Sequence, residues 1–434
     1  MALTTLIEGM TVAQHVIALN NNMTFIAKHG QPVVYFAEMP QWEILSAHKI
    51  NGLGDFSSLI GGTEYLNALN AAFTTLNATD TITVVGATDV KTVGATGDGS
   101  TDDAAAINAA VATGNILIQD GVFIIGASIK IPSNRTVYLY NCKVKSKNAT
   151  YDNIFRNADI DNGNVNVNII GLGSAELDGN TANCDDNYAN YGNNVKGAVP
   201  PYLNSAYRYC SIFLCKVDTF DVSNLFLSDM PHWYIHFQKS INGVSHDLYH
   251  KRYRLSANQG YFTLCYGCHD IDIYNIAGDS RDDYFTIGVS NYSSFSYFGY
   301  AGWDNEDVHD INVWNWDMIN SQADSFGSMF TGVIGDGGKI YNIDIKDVII
   351  RQGGTVFYSS FSNYIDTACA KTDFYNITMD NIQINSAGVD RSAIFYFGSS
   401  MMNTAFTNIK YPLTLLRDYK YNSDTADQSD NVKI

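Results

Sequence analysis

The chain has 434 residues, a formal net charge of −18, and 46% hydrophobic against 16% charged residues, a balance that excludes wholesale disorder and allows a large core. An acidic surface repels phosphate backbones, so nucleic acid is not an expected partner. Seven prolines and 35 glycines suit short strands punctuated by turns, not a loop-dominated chain.

Residues 1–85 differ in character from the rest. Two helices are predicted there, one over residues 11–29 and one over 63–77. The second places Leu66, Leu69, Phe73 and Leu76 three, four and three residues apart, a short seam suited either to a brief coiled coil or to packing within its own domain. Met1–Asn20 has no basic segment, so no signal peptide is expected, and no apolar run approaches the ~18 residues of a membrane span.

Gly94–Asp103 then leads into an Ala-rich helix predicted from Asp102 to Val111. Ser100 and Asp103 stand at capping-box spacing, and the neighbouring acids suit the helix N-terminus. Ile116–Ile125 reads as strand, Asp-Gly turn, strand.

From about residue 165 a pattern recurs. One strand motif appears as Phe220–Leu225, Ile271–Ile276, Ile311–Trp316, Ile343–Val348 and Ile377–Ile382. A second is anchored at Ile212, Ile235, Phe262, Phe285, Phe330, Phe357 and Phe395, with spacings of 23, 27, 23, 45, 27 and 38 residues. A base period near 23–27, lengthened by insertions, marks a β-solenoid. Alternate apolar residues turn one side of every strand inward, and a single rung cannot bury that side alone. Asn224, Asn275, Asn315 and Asn381, with Asp347, share one column and are expected to hydrogen-bond along the stack. The Ala-rich helix is placed to cap the open first rung.

The seven cysteines are odd in number, and Cys265–Cys268 has no second pair at zinc-ribbon spacing. Buried free thiols are expected, with no metal or cofactor. His232, His236, His246 and His269 are scattered and read as turn or core positions, not as ligands.

Several of these segments resemble the pectin-lyase-fold family. Gly94–Asp103 with the Ala-rich helix and Asp120-Gly121 is similar to the opening of bacteriophage tailspikes and polygalacturonases. Ile170–Gly179 resembles the polygalacturonase Gly-x-Gly-x-Ile-Asp-Gly segment, and Ser228–Trp233 the Ser-Pro-x-Trp that follows it. The resemblance implies an all-β, single-stranded right-handed parallel β-helix over residues 86–410. It is preceded by an α-containing attachment and oligomerisation region over 1–85 and followed by a tail over 411–434. Asp282-Asp283 matches the family's paired acids, whereas Asn258-Gln259-Gly260, Ser328 and Val356-Phe357-Tyr358 replace its other three motifs.

Glycoside hydrolysis needs two carboxyls flanking the bond. The expected catalytic acids are Asp282, Asp283, Asp279 and Asp324, the last two aligned in one column. Tyr284, Arg281, Trp303, Glu306, Asn258 and Tyr297 are the expected substrate-binding residues; the insertion after Phe285 would form a groove wall, and outward aromatics among the 28 tyrosines would stack on sugars. The combined expectation is a virion tail protein, homotrimeric by resemblance, which attaches to tail or portal-adaptor proteins through its N-terminal region. It would bind, and as a glycoside hydrolase cleave, a host-surface polysaccharide. A non-catalytic adhesin or structural tail protein, and a cellular polygalacturonase-like hydrolase, are the alternatives.

Overall fold

The computed structural model describes residues 82–148, 152–180, 210–230, 233–251, 260–280, 283–289, 306–319, 328–334, 338–352, 355–360, 373–385, 395–397, 401–410, 419–421 and 432–433. The two predicted N-terminal helices lie outside these residues.

Alternating apolar residues and short turns fold the chain into rungs, each made of one short and one long strand. The short strands stack into a 10-stranded sheet and the long ones into a 14-stranded sheet, every pairing parallel. The anchors read from the sequence pair directly: Ile212, Ile235, Phe262, Phe285, Phe330, Phe357 and Phe395 are consecutive partners in the short-strand sheet. Their side chains point inward and form one continuous apolar core with Ile271, Ile311, Ile343 and Ile377 of the long strands.

The long strands from Val217–Ser228 to Phe374–Ile384 are each bent twice by single residues in left-handed conformation. One bend column is the predicted one, with Asn224, Asp247, Asn275, Asn315, Asp347 and Asn381 all at φ between 53° and 61°. The second was not foreseen: Asn242, Asp270, Asp310, Asn342 and Asn376 hold φ of 54–55° near the strand starts. Asn and Asp tolerate this region better than other side-chain-bearing residues, because their short polar side chains bond locally. The amides also bond from rung to rung, Asn315 Nδ2 to Asn275 Oδ1 at 2.6 Å and Asn376 Nδ2 to Asn342 Oδ1 at 2.9 Å.

One rung escaped the motif reading. In Ile241–Lys251 the inward positions hold Gly243 and Ser245 instead of large apolar residues. The Phe220 ring of the preceding rung fills the space at Gly243, where a Cβ would lie 2.0 Å from Phe220 Cζ. Glycine is required there by the neighbour.

The Ala-rich helix spans Ala104–Thr113 and packs Ile107 and Val111 onto the core beside the first rung. Its start differs from the predicted capping box. Asp103 turns back instead, accepting the Thr96 and Gly97 amides at 2.7 and 3.1 Å, while Asp102 accepts the Ala104 amide at 3.2 Å. Ser100 belongs to the strand Asp98–Asp102 and donates to Asp98. The expected hairpin at Asp120-Gly121 is likewise a bend within one parallel strand, Asn115–Ile125, with Asp120 at φ 60°. One left-handed residue turns the chain a corner without reversing it. At the far end, Tyr419–Tyr421 and Val432–Lys433 pair onto the two sheets, so the ladder runs past residue 410.

Candidate functional site

Outward-facing residues near the ends of the long strands form a charged row across successive rungs. Lys145, Asp178, Ser228 and Lys251 are consecutive register partners, and Asp279 continues the column at the end of His269–Asp279. One column inward, Lys143 pairs with Glu176. Lys143 Nζ lies 2.8 Å from Glu176 and 3.6 Å from Asp178, and Lys145 lies 3.5 Å from Asp178. Burial works against the charge on Lys143, but the two carboxylates outweigh it and raise its pKa. Ser228 Oγ donates to Glu176 Oε1 at 2.7 Å. Lys251 is only 4% exposed. Burial lowers its pKa, opposed by Asp279 and then Glu176.

Four residues beyond Asp279, Asp283 stands at the entrance to the short strand Phe285–Val289. Its carbonyl accepts the Tyr261 amide at 3.0 Å, as the carbonyl of Gly260 accepts that of Tyr234 at 3.1 Å. Register therefore sets Trp233, Gly260, Asp283 and Ser328 in one column. The rungs on either side of Asp283 carry no acid at its position, as the motif substitutions implied.

The structure thus places Asp279 and Asp283 at the same turn. Asp282, Asp324, Arg281, Asn258, Trp303 and Tyr297 lie outside the described residues, as does the expected groove wall over 290–305. Two expectations are corrected. Tyr284 is 0% exposed and belongs to the core beside Phe285, so it offers no face to a sugar. Glu306 sits at the opposite end of the long strands from Asp279, just before Val308–Ile319, where it accepts from Lys239 at 2.6 Å.

Glu176, Asp178 and Lys251 were not singled out in the sequence. The signal was present as acids and lysines two residues apart, Glu176/Asp178 and Lys143/Lys145, a spacing that puts both on one strand face.

Of the histidines, His236 is buried as expected and His232 lies outside the described residues, whereas the other two differ. His246 and His269 occupy outward strand positions, with Nδ1 2.8 Å from Asp247 and 2.7 Å from Asp270. Their rings begin stacks along the rungs: His246–Tyr274–Trp314 at 4.8 and 4.5 Å, and His269–His309–Tyr341–Tyr375 at 4.8, 4.7 and 5.0 Å. Outward aromatics in these columns spend their faces on one another and present edges and polar tips outward. Sugar-face stacking is not open to rings within such a stack.

Cys142, Cys210, Cys215, Cys265 and Cys268 are free and buried. Burial pushes the thiols of Cys142, Cys215 and Cys268 up to about 12. A buried thiol this weakly acidic is a poor nucleophile. An aromatic disulfide reagent is expected to label at most two of the seven cysteines in native protein and all seven after unfolding. Labelling of more than two under native conditions would contradict the buried placements.

No helix among the described residues is long and apolar enough to cross a membrane. No family model and no curated protein matches the sequence. Solved structures do match. The polygalacturonase from Erwinia carotovora ssp. carotovora is 12% identical, with 82% of this chain and 99% of that one covered at a TM-score of 0.53. The endo-xylogalacturonan hydrolase from Aspergillus tubingensis is 12% identical, with 78% and 97% covered at 0.52. The hyperthermoactive exopolygalacturonase from Thermotoga maritima is 12% identical, with 79% and 90% covered at 0.50. Identities this low speak to architecture alone, and the architecture of this chain is the right-handed parallel β-helix of the polygalacturonase type.

Proposed function

We propose that this protein is a phage tailspike whose β-helix binds and hydrolyses a host-surface polysaccharide. The observation that carries the reading is the row of Lys145, Asp178, Ser228, Lys251 and Asp279, with Asp283 at the adjoining turn. Rungs about 4.8 Å apart set charged and hydroxyl groups at a regular interval, Asp178, Ser228, Lys251 and Asp279 largely buried and Lys145 partly exposed, a spacing that suits a linear polymer of hydroxyl-bearing units lying along the axis. Acids on neighbouring rungs or on one turn can also approach the ~5 to ~9.5 Å separations of glycoside hydrolysis. The virion setting draws its support from the opening segment Gly94–Asp103 and the helix that follows. In this reading the N-terminal region attaches to tail or portal-adaptor proteins, and the assembly is a homotrimer.

A second reading, an adhesin with no chemistry, is favoured by one observation: Gly260 and Ser328 flank Asp283 where neighbouring acids would be needed. New reducing ends separate the two. The full chain is incubated with purified bacterial capsular and O-antigen polysaccharides, and reducing ends are measured over time. Hydrolysis is expected, with Asp283→Asn slowing it by ~10²-fold or more, the usual worth of a positioned acid or base. Binding without any new ends leaves the adhesin.

A further inference from the structure

The outward face of the long-strand sheet, between its two bend columns, carries a second group of acids, on the same strands as Ser228, Lys251 and Asp279 but seven residues earlier, before the bend at Asn224, Asp247 and Asn275. Asp221, Val244 and Asp272 are consecutive register partners. In the next column stand Ser223, His246 and Tyr274. His246 is 5% exposed and Asp247 1%, whereas Asp221, Val244, Asp272 and Tyr274 around them are each partly exposed.

The two carboxyls stand in different surroundings. Asp221 Oδ1 is buried with no hydrogen-bond partner, and its nearest cation donor is His246 Nε2 at 3.6 Å, beyond bonding distance. Burial raises its pKa, against the pull of His246 and a hydrogen bond with Ser223. Asp272 is half-exposed and accepts from Asn312 Nδ2 at 2.8 Å. On the far side of His246, Asp247 Oδ2 lies 2.8 Å from Nδ1, which fixes the ring and aims Nε2 at Asp221. The Tyr274 phenol, stacked on His246 at 4.8 Å, is pushed up to about 12, by burial first and then by Asp247, Asp221 and Asp272. It therefore stands in the field of both acids of the pair.

Two rungs separate Asp221 from Asp272, about 9.6 Å along the stack, with only the Val244 side chain between them. As a backbone spacing, that lies just beyond the ~6.5–9.5 Å between carboxyls at which an acid and a base leave room for a water beside an anomeric carbon. Two carboxyls whose environments differ in this way are the pattern of a general acid and a general base.

We propose that Asp221 and Asp272 form a second, inverting glycoside-hydrolysing centre on this face, resting on the reading of the protein as a glycan binder. Asp221 gives its proton to the glycosidic oxygen as the bond from that oxygen to the anomeric carbon breaks. A water oxygen bonds to the anomeric carbon from the opposite side and loses its proton to Asp272. Exchange with solvent returns both carboxyls to their starting forms. His246, held by Asp247, positions Asp221, and the Tyr274 hydroxyl is placed to bond a sugar oxygen between the acids.

The test uses the full chain and the same polysaccharide panel. Binding is read by retardation in native gels containing each polymer, cleavage by reducing ends, and stereochemistry by NMR of freshly formed ends. The background is Asp283→Asn, so that chemistry at the turn is already impaired. Cleavage with inversion is expected to survive in it and to fall by ~10²–10⁴-fold when either Asp221→Asn or Asp272→Asn is added. Asp344→Asn, an exposed acid of the same column outside the pair, should leave it unchanged. Asp272 is half-exposed, so its variant remains informative should Asp221→Asn fold poorly. Residual cleavage that persists in the Asp272→Asn combination overturns the second centre. So does its complete absence from Asp283→Asn, or a wild-type protein that binds a polymer and leaves it whole. A chain that binds no polymer in the panel overturns the glycan reading itself.

Discussion

Replacing Asp247 with Asn should make the protein more stable at neutral pH, by about 2–3 kcal/mol, and should remove a pH dependence of stability between about 4 and 6. Asp247 takes an Asn position in the bend column, at φ 61° and 1% exposed. Burial raises its pKa from an ordinary 3.8 to about 6, against hydrogen bonds from His246 and Asn275. Below pH 4 the carboxyl is protonated in both folded and unfolded chains and the difference costs nothing. As pH rises from about 4 to about 6, the unfolded chain releases the proton first, so folded stability falls, and above 6 the whole cost is present. Roughly two pKa units at about 1.4 kcal/mol each set its size. An Asn side chain carries no charge and adds a donor. In the rung below, Asn224 Oδ1 is buried without a partner, and it is the acceptor an amide at position 247 would find. Denaturant midpoints of wild type and Asp247→Asn across pH 4–8 check this. A variant less stable than wild type at pH 7 would contradict the account.

The pair Phe220 and Gly243 should show the largest coupled effect in the core. Phe220 is buried, with its ring 4.7 Å from that of Phe237, and it occupies the volume of an absent Gly243 side chain. Phe220→Ala is expected to cost about 3–5 kcal/mol by leaving a cavity. Gly243→Val is expected to cost about 1–3 kcal/mol or more, because the new methyls meet the ring. Combined, the valine enters the space the ring vacated, so the double variant should be more stable than the sum of the single losses predicts, by about 1–3 kcal/mol. Strict additivity in chemical denaturation would mean that the two positions do not share one space, and the register around this rung would need revision.

How much of this was legible depended on which residues faced inward. Ile212, Phe262, Phe285 and Phe330 announced themselves because each rung needs a large apolar residue at the same inward position, so the period survives insertions that change the spacing. The rung Ile241–Lys251 was invisible to the same reading, since Phe220 reaches into it and leaves Gly243 nothing to fill. One bend column could be read from Asn224, Asn275, Asn315 and Asn381. The other, through Asn242, Asp270 and Asp310, adjoins turns of unequal length that hide its register.

The acids divide along the same line. That an Asp-rich turn precedes Phe285 follows from the order of residues, and so does the family resemblance it supports. That Tyr284 faces the core while Asp283 does not, and that Glu306 stands at the other end of the strands from Asp279, follows only from register. Asp221, His246 and Asp272 lie 25 and 26 residues apart along the chain, with no motif to join them. They meet because parallel rungs bring residues a full turn apart to about 4.8 Å. Composition and periodicity by themselves determined a stack of parallel rungs, because that is what repeating half-apolar strands must do to bury their faces. Which polar side chains share a column was left to the tertiary structure, because insertions at the turns change how many residues separate neighbours in space.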